Sequence, residues 1–144
     1  MTGEARGSGR KRTGTRAAVL GAGSWGTTLA VLLDEIGHDV ALWEFFPELA
    51  EAVSRAGENR RFLPGVRVPS SIRITSDLAE ALEGASRVVF VTPSHTMRAV
   101  ARAAAASGEL ARDAIVISAA KGLEEQSLCR MSEVLAQELP TPKR

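Results

Sequence analysis

The chain has 144 residues, 44% of them hydrophobic and 24% charged, with a formal net charge of +1, enough apolar material for one buried core of ordinary size. The basic character is confined to one end: Arg6, Arg10, Lys11, Arg12 and Arg16 against Glu4 give residues 1–16 a charge of +4, so the remainder carries −3. No apolar run approaches the length of a membrane span, no secretory-type apolar segment follows the amino terminus, and the single cysteine, Cys129, has no partner for a disulfide or metal cluster, as expected in a reducing cytoplasm.

Residues 1–16, "MTGEARGSGRKRTGTR", hold almost nothing apolar and are expected to form a disordered basic tail ahead of one domain over 17–144. Nucleic-acid binding by that tail is disfavoured, because no aromatic residues are interleaved with its charges. From there strand-like and helix-like segments alternate. "AAVLG" predicts a strand buried on both faces, Ser24–Ile36 a helix stopped by Gly37, "DVALWE" a second strand, and Pro47–Ala56 a helix with proline in its tolerant first turn and Gly57 as its stop. "ENRRFLPGVRVPS" is irregular and "SIRIT" a short alternating strand. Asp77 and Glu80 stand at capping-box spacing before a short helix that ends at Gly84. "RVVFVT" predicts the most buried strand and "HTMRAVARAAAA" a helix with Ser94 as its cap. "AIVISAA" predicts another buried strand, and "SLCRMSEVLAQEL" a last helix ended by Pro140, with Cys129 inside it as a small core residue. This alternation predicts an α/β fold: a doubly wound parallel sheet with helices on both faces, joined by right-handed crossovers.

The junction between the first strand and the first helix carries the chemistry. Gly21, Gly23 and Gly26 fall at G-x-G-x-x-G spacing there, where the first glycine permits a tight turn, the second leaves room for a pyrophosphate and the third lets helix and strand approach closely. The N–H groups of Ser24, Trp25 and Gly26 would face the diphosphate at the positive end of the helix dipole. Glu44, about 20 residues further on, is placed to accept hydrogen bonds from ribose hydroxyls. A carboxylate repels a 2′-phosphate, and Phe45 and Phe46 follow it rather than Arg or Lys, so NAD is expected in preference to NADP. Phe45 is a candidate to stack on adenine, with a rim aromatic as the alternative.

Two later strand ends are candidates for the other end of the cofactor. Pro93 and Ser94 follow "VFVT" and should border the nicotinamide by the rule that ligands sit at the carboxyl ends of strands, a simple capped turn being the alternative. His95 sits in a first helical turn, where a lone histidine is usually exposed and idle. Lys121, beside Gly122 after the last strand, would place a mobile positive charge where an anionic substrate meets the nicotinamide. No residue of the chain is assigned proton transfer, and no metal site is expected.

Taken together, "GAGSWGTTLA", "GHDVALWEFFPE", "ENRRFLPGV", "TSDLAEAL", "VTPSHTMRAV" and "SAAKGLEEQSLCRMSEVLAQELP" resemble, in order and spacing from about Ala18 to Pro140, the NAD(P)-dependent sn-glycerol-3-phosphate dehydrogenases. The resemblance implies a Rossmann-type sheet of strand order 3-2-1-4-5. It also implies reversible reduction of dihydroxyacetone phosphate to sn-glycerol 3-phosphate, feeding phospholipid synthesis, and a homodimer for a full-length member. By the same resemblance Ser24 and Trp25 correspond to the pyrophosphate-contacting pair, Phe45 to an adenine-side contact, Phe62 to a segment that folds over the cofactor, Pro93 and Ser94 to flanks of the nicotinamide, and Lys121 to a lysine touching both cofactor and substrate. Many bacterial members have His or Arg where this chain has Phe45 and Phe46, a departure that agrees with the charge argument for NAD.

A second departure is length. Members of the family continue into an all-helical domain that carries the proton-transferring lysine and an Arg-Asn grip on the phosphate, so this chain is expected to be an amino-terminal portion without turnover of its own. The alternative is a stand-alone NAD-sensing module, which explains the missing base but not "RFLPG", "TPSH" and "AAKGLE" together. Partners other than the phosphorylated triose are not expected: neither nucleic acid nor inserted membrane.

Overall fold

The computed structural model describes residues 14–140. The expected tail lies outside these residues up to position 13, and Arg16, grouped with it above, is the first residue of β1 (Arg16–Leu20). There follow α1 (Ser24–Glu35), β2 (Asp39–Trp43), α2 (Pro47–Ala56), β3 (Arg73–Thr75), α3 (Leu78–Leu82), β4 (Arg87–Phe90), α4 (Ser94–Ala106), β5 (Ile115–Ser118) and α5 (Met131–Glu138). The strands form one sheet in the order β3-β2-β1-β4-β5, with every pairing parallel.

Alternation of side chains along the strands builds two cores. Ala18, Leu20, Ala41, Trp43, Val88 and Phe90 face α3, α4 and α5, where they pack with Leu82, Met97, Ala101, Val134 and Leu135. Val19, Val40, Leu42 and Val89 face the opposite layer and pack with Ala30 of α1 and Val53 of α2. Both faces of β1, β2 and β4 are thereby taken from water, which is why these segments read as continuous apolar runs. Gly57 ends α2 in the left-handed region at φ 62°, where glycine meets no Cβ penalty.

The register sets the position of the site. Leu20 pairs with both Trp43 and Phe90, Phe90 pairs with Ser118, and Trp43 with Thr75. All five strands therefore end level with one another, and the segments leaving them share one edge of the sheet. The chain runs outward from β1 to β3 and returns to β4 beside β1, so the gap between the β1 and β4 ends is the switch point at which doubly wound sheets bind ligands.

Several local expectations are corrected. β5 is an edge strand, not a buried one: it pairs with β4 alone among the described residues, leaving Ile115 and Ile117 at 56% and 42% exposure. The "SIRIT" strand is reduced to Arg73–Thr75. The last helix begins only at Met131. Cys129 precedes it, half-buried, because the Glu124 carbonyl accepts from Leu128 N–H at 2.8 Å and Leu128 takes φ 56°, which turns the chain before a helix can start. Asp77 does cap α3, accepting from the Ala79 and Glu80 N–H groups. The Glu80 carboxylate, however, is engaged by the Thr75 hydroxyl at 2.6 Å, so the reciprocal half of the capping box is diverted to the strand. Pro93, not Ser94, occupies the N-cap of α4, with Ser94 as the first helical residue.

Candidate functional site

The glycine turn shows three different physical requirements. Gly21 has φ 118°, and a Cβ there would stand 3.1 Å from the Val91 carbonyl group, so both conformation and the closeness of the β4 end demand glycine. At Gly26 a Cβ would lie 1.8 Å from the Gly21 carbonyl oxygen, an overlap that only glycine avoids. Gly23 has neither constraint: its φ of −68° suits any residue, and a Cβ would meet nothing within 4 Å. The absence of a side chain at Gly23 serves the space in front of it.

That space is the mouth of a crevice of about 1210 Å³. Along it lie Gly21, Gly23, Ser24, Trp25 and Gly26 from the turn, Glu44 and Phe45 beyond β2, Phe62, Pro93 beyond β4 and Lys121 beyond β5. Of the residues singled out from the sequence, Ser94 alone is not in the lining; its hydroxyl lies under the loop after β5, where a Cβ on Gly122 would be 3.5 Å away. His95 is exposed and also lines the crevice. The first turn of α1 has no side-chain cap and no acidic residue, so its N–H groups and the positive helix end face a space without a competing anion from the helix itself.

Glu44 follows β2 and is nine-tenths buried, with Oε1 accepting from Phe46 N–H at 3.0 Å and its own N–H donating to the Thr75 carbonyl. These bonds fix the carboxylate at the rim. Trp43, Phe45 and Phe46 form an edge-to-face series, with centroids 6.1 and 5.1 Å apart. Trp43 is buried, while Phe45 and Phe46 are exposed and line the crevice, an apolar wall suited to a flat heteroaromatic group. The residues present thus fit a dinucleotide: an open cradle at Gly23, uncapped N–H groups, a fixed acid and an aromatic rim.

The sequence did not point to Asn59, which proves central. It is 2% exposed, donates from Nδ2 to the Ala22 carbonyl at 2.7 Å and to Thr27 Oγ1 at 2.8 Å, and accepts from Phe62 N–H at 3.2 Å. One amide therefore ties the glycine turn, α1 and the segment bearing Phe62 into a unit. Its flanks, Glu58, Arg60 and Arg61, make it look like part of a solvated loop; the only local signal is an amide just before an apolar "FLP". Asn59→Ala should cost about 1–3 kcal/mol, since the Phe62 N–H loses its side-chain acceptor and the Ala22 carbonyl is left with only the long 3.4 Å bond from the Thr27 hydroxyl. Urea unfolding checks this, and a loss under 0.5 kcal/mol would show that these bonds are replaceable.

In the loop after β5, outside the crevice lining, the Arg98 guanidinium holds the Glu124 carboxylate well below the usual range, at about 2, with the Ser127 hydroxyl assisting. Among the described residues no group of three or more His, Cys, Asp and Glu could hold a metal ion, and no helix is long and apolar enough to cross a membrane.

A level row of parallel strand ends, a glycine turn whose middle member opens onto free space, and a buried acid at the end of β2 define a dinucleotide-binding domain of the doubly wound class. The family model described as NAD-dependent glycerol-3-phosphate dehydrogenase N-terminus matches residues 16–144. This chain belongs to that family. A glycerol-3-phosphate dehydrogenase [NAD(P)+] from Moorella thermoacetica is 49% identical over 121 residues, covering 84% of this chain and 36% of that protein. The crystal structure of glycerol-3-phosphate dehydrogenase from Coxiella burnetii superposes with a TM-score of 0.81 at 31% identity, over 89% of this chain and 38% of that one. A ketopantoate reductase from Ralstonia eutropha JMP134 shares the fold at a TM-score of 0.68 and 25% identity, over 88% of this chain and 39% of that one, so the fold by itself does not select a substrate. The chain spans a little over a third of the length of the curated relatives it matches.

Proposed function

We propose that this domain binds NAD, in preference to NADP, for the reversible reduction of dihydroxyacetone phosphate to sn-glycerol 3-phosphate, an activity completed by further residues outside those described. The observation that carries the proposal is the shared crevice: the open cradle at Gly23, the fixed Glu44 carboxylate and the Lys121 ammonium line one space at the switch point. The bound cofactor supplies or accepts the hydride. The chain's own part is to hold the diphosphate with the α1 N–H groups, to receive ribose hydroxyls on Glu44, and to set a positive charge at Lys121 where negative charge develops on the ketone oxygen or is carried by the phosphate. A proton for that oxygen has no assigned donor among the crevice residues. A cytoplasmic setting and a homodimer of the whole protein accompany this proposal.

The preference for NAD rests on Glu44. Any 2′-phosphate at the ribose would lie against its carboxylate, and the next two residues are apolar. Arg61 lines the same crevice, with its guanidinium 5.2 Å over the Phe62 ring, so the discrimination is expected to be partial. NADH should bind roughly tenfold more tightly than NADPH, a difference of about 1.4 kcal/mol. Glu44→Ala should narrow that gap without reversing it. Calorimetry with both cofactors decides the matter, equal or reversed affinities in the unmodified chain being the contrary result.

The reaction is tested with a chimera in which residues 14–140 replace the matching segment of the Moorella thermoacetica relative. NADH oxidation dependent on dihydroxyacetone phosphate is expected. A folded chimera that binds NADH but does not turn over would instead favour a nucleotide-sensing module.

A further inference from the structure

The loop after β5 carries Lys121, yet Lys121 is exposed, so whatever places its ammonium must act through the loop. Three residues on, Glu124 is the hub of that loop. Its N–H donates to the Cys129 carbonyl at 2.9 Å, its carbonyl accepts from Leu128 N–H, and its carboxylate accepts from the Ser127 hydroxyl. Both carboxylate oxygens are also gripped by Arg98, from Nε and Nη2, each at 2.7 Å. Arg98 stands on α4, the helix that begins at the turn after β4, whose Pro93 lines the same crevice. The other face of the same guanidinium is tied to α5, by Nη1 to Glu138 and by Nη2 to Gln137 Oε1 at 2.9 Å. Both charges are largely buried, with side chains 23% and 18% exposed, and the fork-to-fork geometry fixes orientation as well as distance. Nearer Lys121, Gly122 at φ 98° lies against Ser94, the first residue of α4.

We infer that Arg98 and Glu124 are positioning residues: their bidentate pair fastens the Lys121 loop to α4 and so holds the lysine at its station in the crevice. This rests on the crevice being the cofactor site. The pair is fully ionised across the neutral range, the Glu124 pKa being held at about 2. Neither residue points into the crevice, and neither is assigned contact with cofactor or substrate. Their effect is to limit where a flexible side chain can go, which is how supporting groups raise the precision of a binding site.

The composition of the chain provides a direct probe. Its lysines are Lys11, Lys121 and Lys143, so a lysine-specific endoprotease has three sites, of which Lys121 alone falls among the described residues, and its cut separates residues 12–121 from 122–143. Cutting rates at Lys121 are followed by mass spectrometry in the intact chain, in Arg98→Met, in Glu124→Gln, and in the control Arg55→Met, whose partner Glu51 lies on α2. Arg98→Met should speed the cut by at least about tenfold and Glu124→Gln, which keeps an acceptor, by a smaller factor. Low urea should leave these rates nearly unchanged, the sign of local rather than global opening. Both variants lose some melting temperature with the ion pair, so NADH affinity is compared well below it, where circular dichroism shows each fully folded; there both should bind NADH at least about threefold more weakly, an effect that loss of general stability does not produce. A Lys121 cut within twofold of the unmodified chain overturns the inference, as does a faster cut with unaltered NADH affinity. Failure of the unmodified chain to bind NADH overturns the cofactor proposal itself, and is seen before any variant is compared.

Discussion

Gly23→Val should remove dinucleotide binding while leaving the domain folded. The two halves of that expectation have separate origins. Gly23 adopts φ −68° and a Cβ there meets nothing within 4 Å, so the fold tolerates the branch, with a stability change within about 0.5 kcal/mol. On the proposed reading the same emptiness is the approach path of the diphosphate, and two added methyl groups would fill it; affinity should then fall by at least about a hundredfold, or roughly 2.8 kcal/mol. Gly26→Ala provides the contrast. A Cβ at 1.8 Å from the Gly21 carbonyl oxygen forces backbone apart, so that variant should lose stability as well as binding. Thermal unfolding by circular dichroism, run beside an NADH titration, separates the two. Normal affinity in a folded Gly23→Val protein would show that the diphosphate does not pass in front of this residue.

Lys121→Ala is the second large effect, and it should appear in turnover, with a smaller loss of NADH affinity, and not in stability. The side chain is exposed at the end of an edge strand, so its removal should change stability by no more than about 0.5 kcal/mol. In a chimera that turns over, the proposed role of the ammonium is to offset negative charge on the ketone oxygen or the phosphate. Loss of one such charged contact is worth on the order of 3 kcal/mol, or about a hundredfold in kcat/KM for dihydroxyacetone phosphate. Full activity of the variant would assign that charge stabilisation to another residue.

The legible parts of this molecule are those in which one residue's requirements decide the outcome. Val and Ala runs such as Ala17–Leu20 and Val88–Phe90 are buried on both faces and could be read without a partner in view. Gly21, Gly37, Gly57 and Gly84 sit at positive φ at the element ends where glycine was expected to stop or turn the chain. The strand order followed from the resemblance rather than from any single segment. What escaped depended on neighbours distant in sequence. The exposure of Ile115 and Ile117 follows from what lies beside β5, which the composition of "AIVISAA" does not encode. The late start of α5 follows from the bonds of Glu124 and Ser127, which outcompete a helical pattern through Leu128 and Cys129. Asn59 and the Arg98–Glu124 pair looked like surface polar residues because their partners are 26 or more residues away.

The cradle also clarifies why the glycine motif taken alone is a weak signal. Only Gly21 and Gly26 are demanded by the protein's own packing, and any tight strand-to-helix turn could use glycines for that purpose. Gly23 is the one whose lack of a side chain has no internal explanation, and it stands beside an uncapped helix end and across from Glu44.

The central claim, that this crevice is a dinucleotide site, is tested most directly by isothermal titration of the chain with NADH, repeated with Gly23→Val. Saturable binding of one NADH per chain, lost in the variant while its circular dichroism is unchanged, is the predicted result. No binding by the unmodified chain, or binding that survives Gly23→Val undiminished, would contradict it.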